Sequence, residues 1–407
     1  MKIIQINTFP YKATGSIMMN LHRLMQNQGI ESYAVWGRGR KPGNEYEISL
    51  HDYFGMVYHG VYSRITDKTG FASKRATQKL IDKLKEIKPD IIHLHNIHGY
   101  YINIEMLFRH IREQQIKVVW TLHDCWSFTG HCAYFDMIEC EKWKYGCHDC
   151  WQLNTYPVSK VMDNSEWNYQ RKKELFTGLD ITIITPCSWL CGLVKQSYLK
   201  PYPVKVIYNG IDRNVFRPTE SDFRAKHGLE GKFIVLGVAS EWTVRKGLQD
   251  FIRLSTLLND DYKIVVIGLT KKQVKEMPAS ILAMERTSNV QELVEIYSTA
   301  DIFFNPTYED NFPSTNLEAI ACGTPVCTYQ TGGSPESLNH NSGIVLPVGQ
   351  INIFAAMIRE NRSPKYNMKF DIDEAMDGFE KEDMLKNYLT IYRTIGEDAD
   401  GIREWAG

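Results

Sequence analysis

Asp310 and Glu318 stand eight positions apart in the stretch ADIFFNPTYEDNFPSTNLEAIACGTPVC, which begins at Ala300. Ile302-Phe303-Phe304 reads as a buried strand running into a loop of acidic and small residues. Ser314 reads as the N-cap of a helix whose inner stripe is Leu317, Ile320 and Ala321. The start of such a helix offers unbonded backbone N–H groups and the positive end of the helix dipole, so it attracts anions. Glu318 lies one turn in, and helical side chains lean toward the N-terminus, which aims its carboxylate at the same place. Carboxylates are poor partners for phosphate but good acceptors from sugar and ribose hydroxyls. Phosphate at the amides with a carboxylate on either side therefore suits a nucleotide-sugar. The plainer alternative is that Asp310 and Glu318 only decorate a loop and a helix.

A second group able to do chemistry is Cys132, Cys140, Cys147 and Cys150, at spacings x7, x6 and x2 within a loop-like stretch, 125–155. A Cys-x2-Cys with two further thiols suits structural zinc in a segment lacking a core of its own, with His123, His131 and His148 nearby as substitute ligands. Unliganded thiols and a disulfide are the other two readings. Nine cysteines, an odd number without a secretion signal ahead of them, point to the reducing cytoplasm.

These residues must be positioned by an α/β framework, because strand-like and helix-like segments alternate along the chain. In the first half, strands are expected at Lys2–Asn7, Ser32–Trp36, Asp90–Leu94, Lys117–Leu122 and Ile181–Thr185, with helices such as Gly15–Gln28 and Arg75–Ile87 between them. Pro201 and Pro203 mark Leu199–Val204 as a hinge. In the second half, strands are expected at Lys232–Val238, Tyr262–Ile267, Asp301–Asn305, Pro325–Thr328 and Gly343–Leu346. Helices follow at Lys246–Leu258, Gln291–Thr299, Ser314–Ala321, Ile351–Asn361 and around Lys381–Thr394. This divides the chain into residues 1–203, 204–379 and a terminal helix and tail, 380–407. Two Rossmann-like domains across a hinge place a ligand cleft between the carboxyl ends of both sheets.

The segment Glu309-Asp310-Asn311-Phe312-Pro313, followed by Leu317-Glu318-Ala319-Ile320-Ala321-Cys322-Gly323-Thr324-Pro325-Val326, resembles the acidic-x7-Glu motif of retaining GT-B glycosyltransferases. This is the large group 1 family that builds bacterial capsules, O-antigens and lipopolysaccharide cores. The resemblance implies that Glu318 binds the donor ribose, that Asp310 contacts the donor sugar, and that the loop at Asn311, Phe312, Pro313, Ser314 and Thr315 meets sugar and phosphate. The family's first acid is usually Glu, so Asp310 is a shortened version, and Glu309 falls one residue too far away. Arg245-Lys246-Gly247 is similar to the element whose cations hold the diphosphate, though Ala239-Ser240-Glu241 stands where the family has a further Arg. Tyr208-Asn209-Gly210-Ile211-Asp212 and Thr331-Gly332-Gly333-Ser334-Pro335-Glu336 resemble two further family turns. Thr14-Gly15-Ser16 resembles the glycine loop near the transferred group, and His123-Asp124 the family's His-Asp position, where His123 would hydrogen-bond the donor sugar. The terminal helix is expected to pack back toward the first domain.

The resemblance implies retention of configuration, catalysis by His123, Asp310 and Glu318, and no cofactor. Arg245, Lys246 and helix amides then meet the charge growing on the leaving diphosphate. Asp371-Ile372-Asp373 and Asp398-Ala399-Asp400 are spaced like metal-binding triplets but lie in the tail and read as solvated surface. No Gly-x-Gly-x-x-Gly follows the first strand and no Walker loop occurs, which speaks against nicotinamide and kinase-type enzymes. A nucleotide-sugar epimerase on the same fold and a non-catalytic sugar-binding relative are the other readings. The acceptor is expected to be an oligosaccharide or lipid-linked glycan, and nucleic acid is not an expected partner. Residues 1–205 hold 26 Lys+Arg against 19 Asp+Glu, a net of +7, and the remainder 21 against 29, a net of −8. No run approaches the roughly 20 apolar residues that span a bilayer. The cationic row Arg75, Lys79 and Lys83 on one helix instead suggests peripheral contact at the inner face of the membrane.

Overall fold

The computed structural model describes residues 1–339, 341–360 and 371–403, with side chains described to residue 396. Asn361 and the side chains of Asp398 and Asp400 lie outside the described residues. The chain forms two compact units, one of residues 1–207 with 385–407 and one of residues 208–384.

The first unit is a seven-stranded sheet: β1 (Lys2–Asn7), β2 (Glu31–Trp36), β3 (Glu47–Ser49), β4 (Ile91–Leu94), β5 (Lys117–Thr121), β6 (Ile181–Thr185) and β7 (Val204–Val206), in the order β3-β2-β1-β4-β5-β6-β7. Every pairing is parallel. β1, β4 and β6 are buried nearly throughout because helices cover both faces of a parallel sheet. These helices are α1 (Lys12–Asn27), α2 (Tyr53–Thr66), α3 (Lys74–Ile87), α4 (Ile104–Gln114), α5 (Ser165–Phe176) and α6 (Ser188–Val194). Between β5 and α5 the chain makes only three short 3-10 turns.

The second unit is a six-stranded parallel sheet in the order β10-β9-β8-β11-β12-β13, from β8 (Phe233–Val238), β9 (Tyr262–Ile267), β10 (Ile281–Met284), β11 (Ile302–Asn305), β12 (Val326–Tyr329) and β13 (Gly343–Leu346). α7 (Phe223–His227), α8 (Leu248–Ser255), α9 (Lys271–Glu276), α10 (Val290–Thr299), α11 (Ser314–Ala321) and α12 (Ile351–Glu360) accompany it. One buried cluster runs from Phe233 and Val235 through Phe251 and Phe304 to Phe354 and Ile358.

Several element boundaries differ from the sequence reading. β3, β7 and β10 were not anticipated: each is only three or four residues long and mostly half-buried, and only β10, Ile-Leu-Ala-Met, is an apolar run, one of just four residues. β7 begins at Val204, so the expected hinge segment leads directly into the edge of the first sheet. α1 starts at Lys12, behind a Tyr11 that makes no capping bond, so no cap signal announces it. The terminal helix, Lys381–Arg403, reaches the first unit as expected. Tyr388 and Tyr392 are fully buried there, Tyr392 bonded to His93 and Tyr388 to Thr121.

Candidate active site

In the second sheet β8 and β11 are neighbours, but the chain leaving β8 goes on to β9 and the chain leaving β11 goes on to β12. Such a divergence opens a crevice at the strands' carboxyl ends. Two segments meet there: the turn Val244–Lys246 after β8, and residues 306–313 after β11. Tyr308 N donates to Arg245 O at 2.7 Å, and Arg245 Nη1 donates to Glu309 O at 3.0 Å. Gly247, at φ +74°, permits this approach, because a Cβ there would lie 2.1 Å from Pro306 O. The Lys246 ammonium forms a direct ion pair with the Asp310 carboxylate. Gly333 N donates to Asp310 O at 3.3 Å, which joins the turn at 331–336 to the same loop.

α11 begins differently from expectation. Pro313 holds the N-cap position, and no side chain caps the first-turn amides. Ser314 is the first helical residue, and its hydroxyl donates to Glu318 Oε1 at 3.4 Å. Proline supplies no N–H and fixes φ near the helical value, so the chain enters the helix at Ser314, one residue earlier than a Ser314 cap would give. Glu318 Oε2 accepts from Tyr297 OH at 3.0 Å. Burial raises the Glu318 carboxyl above its ordinary pKa, opposed by the bonds from Tyr297 and Ser314. Asn316 locks the helix in place, accepting from Asn305 Nδ2 at 2.8 Å and donating to Ser337 Oγ at 2.8 Å. Phe312 is buried against Tyr208 and Phe379, with ring centroids 5.4 and 6.0 Å away, and Asn311 and Pro313 are buried as well. Those three anchor the loop, while Asp310, Ser314, Thr315 and Glu318 are half-buried.

The carboxyl end of the first sheet gathers histidines. His93 Nε2 bonds Thr121 Oγ1 at 2.8 Å, and His95 Nδ1 bonds His123 Nε2 at 3.1 Å with the two rings stacked. His98 Nε2 meets Asp124 Oδ2 at 2.8 Å and its Nδ1 meets Tyr156 OH at 2.8 Å, a pattern satisfied by Nε2–H donating and Nδ1 accepting. Burial pushes His93 down to about 3 and His123 down to about 4, and His95 well below its ordinary value. Burial also acts to raise the Asp124 carboxyl, but His98, the Trp126 amide and His123 together hold it below its usual pKa. Gly15 lies in the first turn of α1, packed against the Phe9–Pro10 backbone so closely that a Cβ would come 2.4 Å from Phe9 O.

Residues 15–215 match the family Glycosyltransferase Family 4, and residues 219–364 match glycosyl transferases group 1. The chain is a GT-B glycosyltransferase. It is 26% identical over 362 residues to the putative colanic acid biosynthesis glycosyl transferase WcaC of Escherichia coli K12, covering 84% of this chain and 86% of that one. Sucrose-phosphate synthase from Thermosynechococcus elongatus superposes with a TM-score of 0.69 at 14% identity, over 98% of this chain and 99% of that chain. The Anabaena protein Alr3699/HepE in complex with UDP-glucose does so with a TM-score of 0.62 at 15% identity, over 98% and 100%. These two likenesses concern the fold.

Within this glycosyltransferase, Arg245, Lys246, Asp310 and Glu318 all fall in the group 1 region and in the second unit, whereas Gly15 and His123 fall in the first. Sequence reasoning missed the partners. His95 and His98 were overlooked although the spacing His93-x-His95-x2-His98 directly after an apolar run was visible. Asp250, which accepts from both Tyr308 OH and Tyr329 OH, was missed for lack of any local signal. Asp371, in the first Asp-x-Asp triplet, caps a short helix by accepting from Asp373 N, and Asp373 pairs with Arg213. In the expected cationic row, Lys79 donates to Ser49 O at 2.9 Å and Lys83 pairs with Glu86 at 2.6 Å. The thiols of Cys132, Cys140, Cys147 and Cys150 line one cavity. Among the described residues no three His, Cys, Asp or Glu side chains are already arranged to hold a metal ion.

Proposed function

We propose that this glycosyltransferase moves a sugar from a UDP- or GDP-sugar to an oligosaccharide or lipid-linked glycan acceptor, with retention of anomeric configuration and without a catalytic metal ion, in the synthesis of a bacterial surface polysaccharide. The observation that carries this reading is the Lys246–Asp310 ion pair beside the uncapped start of α11. A diphosphate arriving there offers Lys246 a doubly charged partner and takes up the α11 amides. Asp310, released from Lys246, is then available to sugar hydroxyls. Glu318, already accepting from two hydroxyls, suits the ribose. As the anomeric bond breaks, negative charge grows on the diphosphate, where Lys246 and Arg245 meet it without reorganisation. His123, kept neutral by burial, exchanges hydrogen bonds with a sugar hydroxyl without bringing a charge.

The surface-polysaccharide setting is supported by the name of the Escherichia coli relative, and a uridine donor by the UDP-glucose complex of the Anabaena protein. No helix of the described residues is long and apolar enough to cross a membrane. Contact with a membrane-borne acceptor is therefore assigned to the surface of the first unit. There Arg75 continues the row of Lys79 and Lys83, and α2 exposes Phe54, Val57, Tyr58, Val61 and Ile65 along one side.

The test is a panel of UDP- and GDP-sugars incubated with purified protein, glycan acceptors and EDTA. Product is followed by chromatography, and its anomeric configuration is read by NMR. Metal-free transfer with retention supports the proposal. Inversion, a strict divalent-metal requirement, donor epimerisation in place of transfer, or binding without turnover each contradicts it.

A further inference from the structure

The segment from Cys125 to Asn164 has three short 3-10 turns as its only helical structure and no strand, yet it folds around two small centres. One is aromatic: Phe128, Phe135 and Trp143, with centroids 5.0–6.3 Å apart. The other is the cavity that brings together all four thiols of the Cys-x7-Cys-x6-Cys-x2-Cys run.

The groups around these sulfurs are those that thiolate ligands need. Gly130 N donates to Cys147 Sγ at 3.1 Å, and the Gln152 amide donates to Cys150 Sγ. Cys150 and Cys132 are hydrogen-bonded to each other. Backbone N–H groups aimed at sulfur stabilise negative charge on it, and the turn Cys147-His148-Asp149-Cys150 presents two thiols from one short loop. Lys172 is fully buried and donates to Trp126 O at 2.6 Å; burial pushes its pKa down to about 7, with the neighbouring Cys147 and Cys132 acting to raise it.

His131 is the second, independent observation. It is 2% exposed, lines the same cavity and is held at Nδ1 by the buried Asp67 carboxylate. Its Nε2 is buried and has no hydrogen-bond partner. A carboxylate on one imidazole nitrogen fixes the tautomer that leaves a lone pair on the other, the arrangement found behind histidine ligands of metals. A pocket that needed no ligand would leave this buried nitrogen's desolvation uncompensated.

We propose that this cavity is a structural zinc site, with Cys132, Cys147 and Cys150 as three ligands and the fourth position taken by His131 or Cys140. The cavity lies within the first unit, is separate from the reading given to Lys246, Asp310 and Glu318, and does not depend on it. Ligation requires the sulfurs to draw closer together than they stand, with their protons released to solvent. His148 also borders the cavity, but it is largely exposed and bonds the exposed Asp149 at 3.1 Å, so it is not assigned as a ligand. The role is structural: four protein ligands leave no open position on the ion, and zinc replaces the hydrophobic core this segment is too short to build.

The test uses the full chain purified without chelator under reducing conditions. Elemental analysis is expected to find about one zinc per chain. The double variant Cys147→Ser/Cys150→Ser is expected to fall below about a tenth of that, with Cys322→Ser, outside the cavity, unchanged. His131→Gln and Cys140→Ser identify the fourth ligand, since only one of them lowers the zinc content. If the double variant fails to fold, wild-type protein stripped of metal and reloaded with cobalt chloride decides the matter. Tetrahedral thiolate ligation gives intense sulfur-to-cobalt charge-transfer absorption. Metal-free, fully folded protein that gives no such absorption overturns the proposal. So does a Cys132–Cys150 disulfide in the freshly isolated chain, or full zinc retention by the folded double variant.

Discussion

At the carboxyl end of the second sheet the polar groups are charged and paired with each other: Lys246 with Asp310, and Arg245 with the Glu309 carbonyl. At the carboxyl end of the first sheet they are imidazoles that burial keeps neutral, linked as His95–His123 and His93–Tyr392. Both ends are built on the same kind of sheet, each with a point where successive connections diverge, so topology does not account for the difference. On the function proposed above, it follows from what each end has to meet. A diphosphate demands cations that can change partners, whereas hydroxyls are held by neutral donors and acceptors that do not drag counter-ions into a buried place.

The largest effect expected from this contrast comes from breaking the ion pair on its cationic side. Lys246→Ala is expected to lower kcat/KM by about 10²- to 10³-fold, the range for losing a group that meets transition-state charge. Asp310→Asn, which leaves Lys246 in place, is expected to cost turnover more than nucleotide affinity. Steady-state kinetics on both variants checks this, and equal losses in nucleotide affinity would contradict the exchange of partners.

Glu318→Gln keeps an acceptor for Tyr297 but removes the charge, and the expected loss in kcat/KM is roughly 10- to 100-fold, in line with hydrogen bonds to an ionised group. Because burial raises the Glu318 pKa, its carboxylate gains a proton at a pH above the usual carboxylate range. Donor KM is therefore expected to rise as pH falls into that region, and Glu318→Gln is expected to remove the dependence. Activity of Glu318→Gln within about threefold of wild type, below 1 kcal/mol, would sink the ribose assignment.

The neutral end predicts a smaller effect and a flat profile. His123→Ala is expected to cost about 3- to 10-fold, the worth of a neutral hydrogen bond. With its pKa at about 4, His123 contributes no titration near 6.5, so the pH–rate profile of wild type and of His123→Ala should run parallel there. A limb near 6.5 that the substitution abolishes would show the imidazole working as an acid or base. Smallest is the surface effect. Charge reversal at Arg75, Lys79 and Lys83 is expected to weaken low-salt co-sedimentation of the protein with anionic vesicles, at about 1 kcal/mol per cation for those not already paired. Absence of lipid-dependent pelleting by wild type would remove the membrane proposal and leave the transferase reading intact.

How much of this was legible in the sequence depended on how local the signal is. The central strands could be read because parallel strands buried on both faces are nearly continuous apolar runs, as in Phe233–Val238 and Tyr262–Ile267. The helix after β11 was legible from its apolar stripe Leu317, Ile320 and Ala321, down to the lean of Glu318 toward the helix start. The Ser314 cap was misplaced because Ser and Pro are both good residues for a helix start, and only the backbone decides which stands outside. The Lys246–Asp310 pair joins residues 64 positions apart, and His95 meets His123 across 28, so no periodicity or spacing reports them. The short edge strands β3, β7 and β10 escaped because edges are half-exposed.

The account's central claim is that Lys246 binds the donor diphosphate in the second unit by exchanging Asp310 for phosphate. Calorimetric titration of UDP and of GDP into wild type and Lys246→Ala, in EDTA, tests it most directly. The account predicts that one nucleotide binds wild type without a divalent ion, and that Lys246→Ala weakens that binding about tenfold or more with the fold unchanged by circular dichroism. Equal affinity in the two proteins, or no binding of either nucleotide until a divalent ion is added, would contradict it.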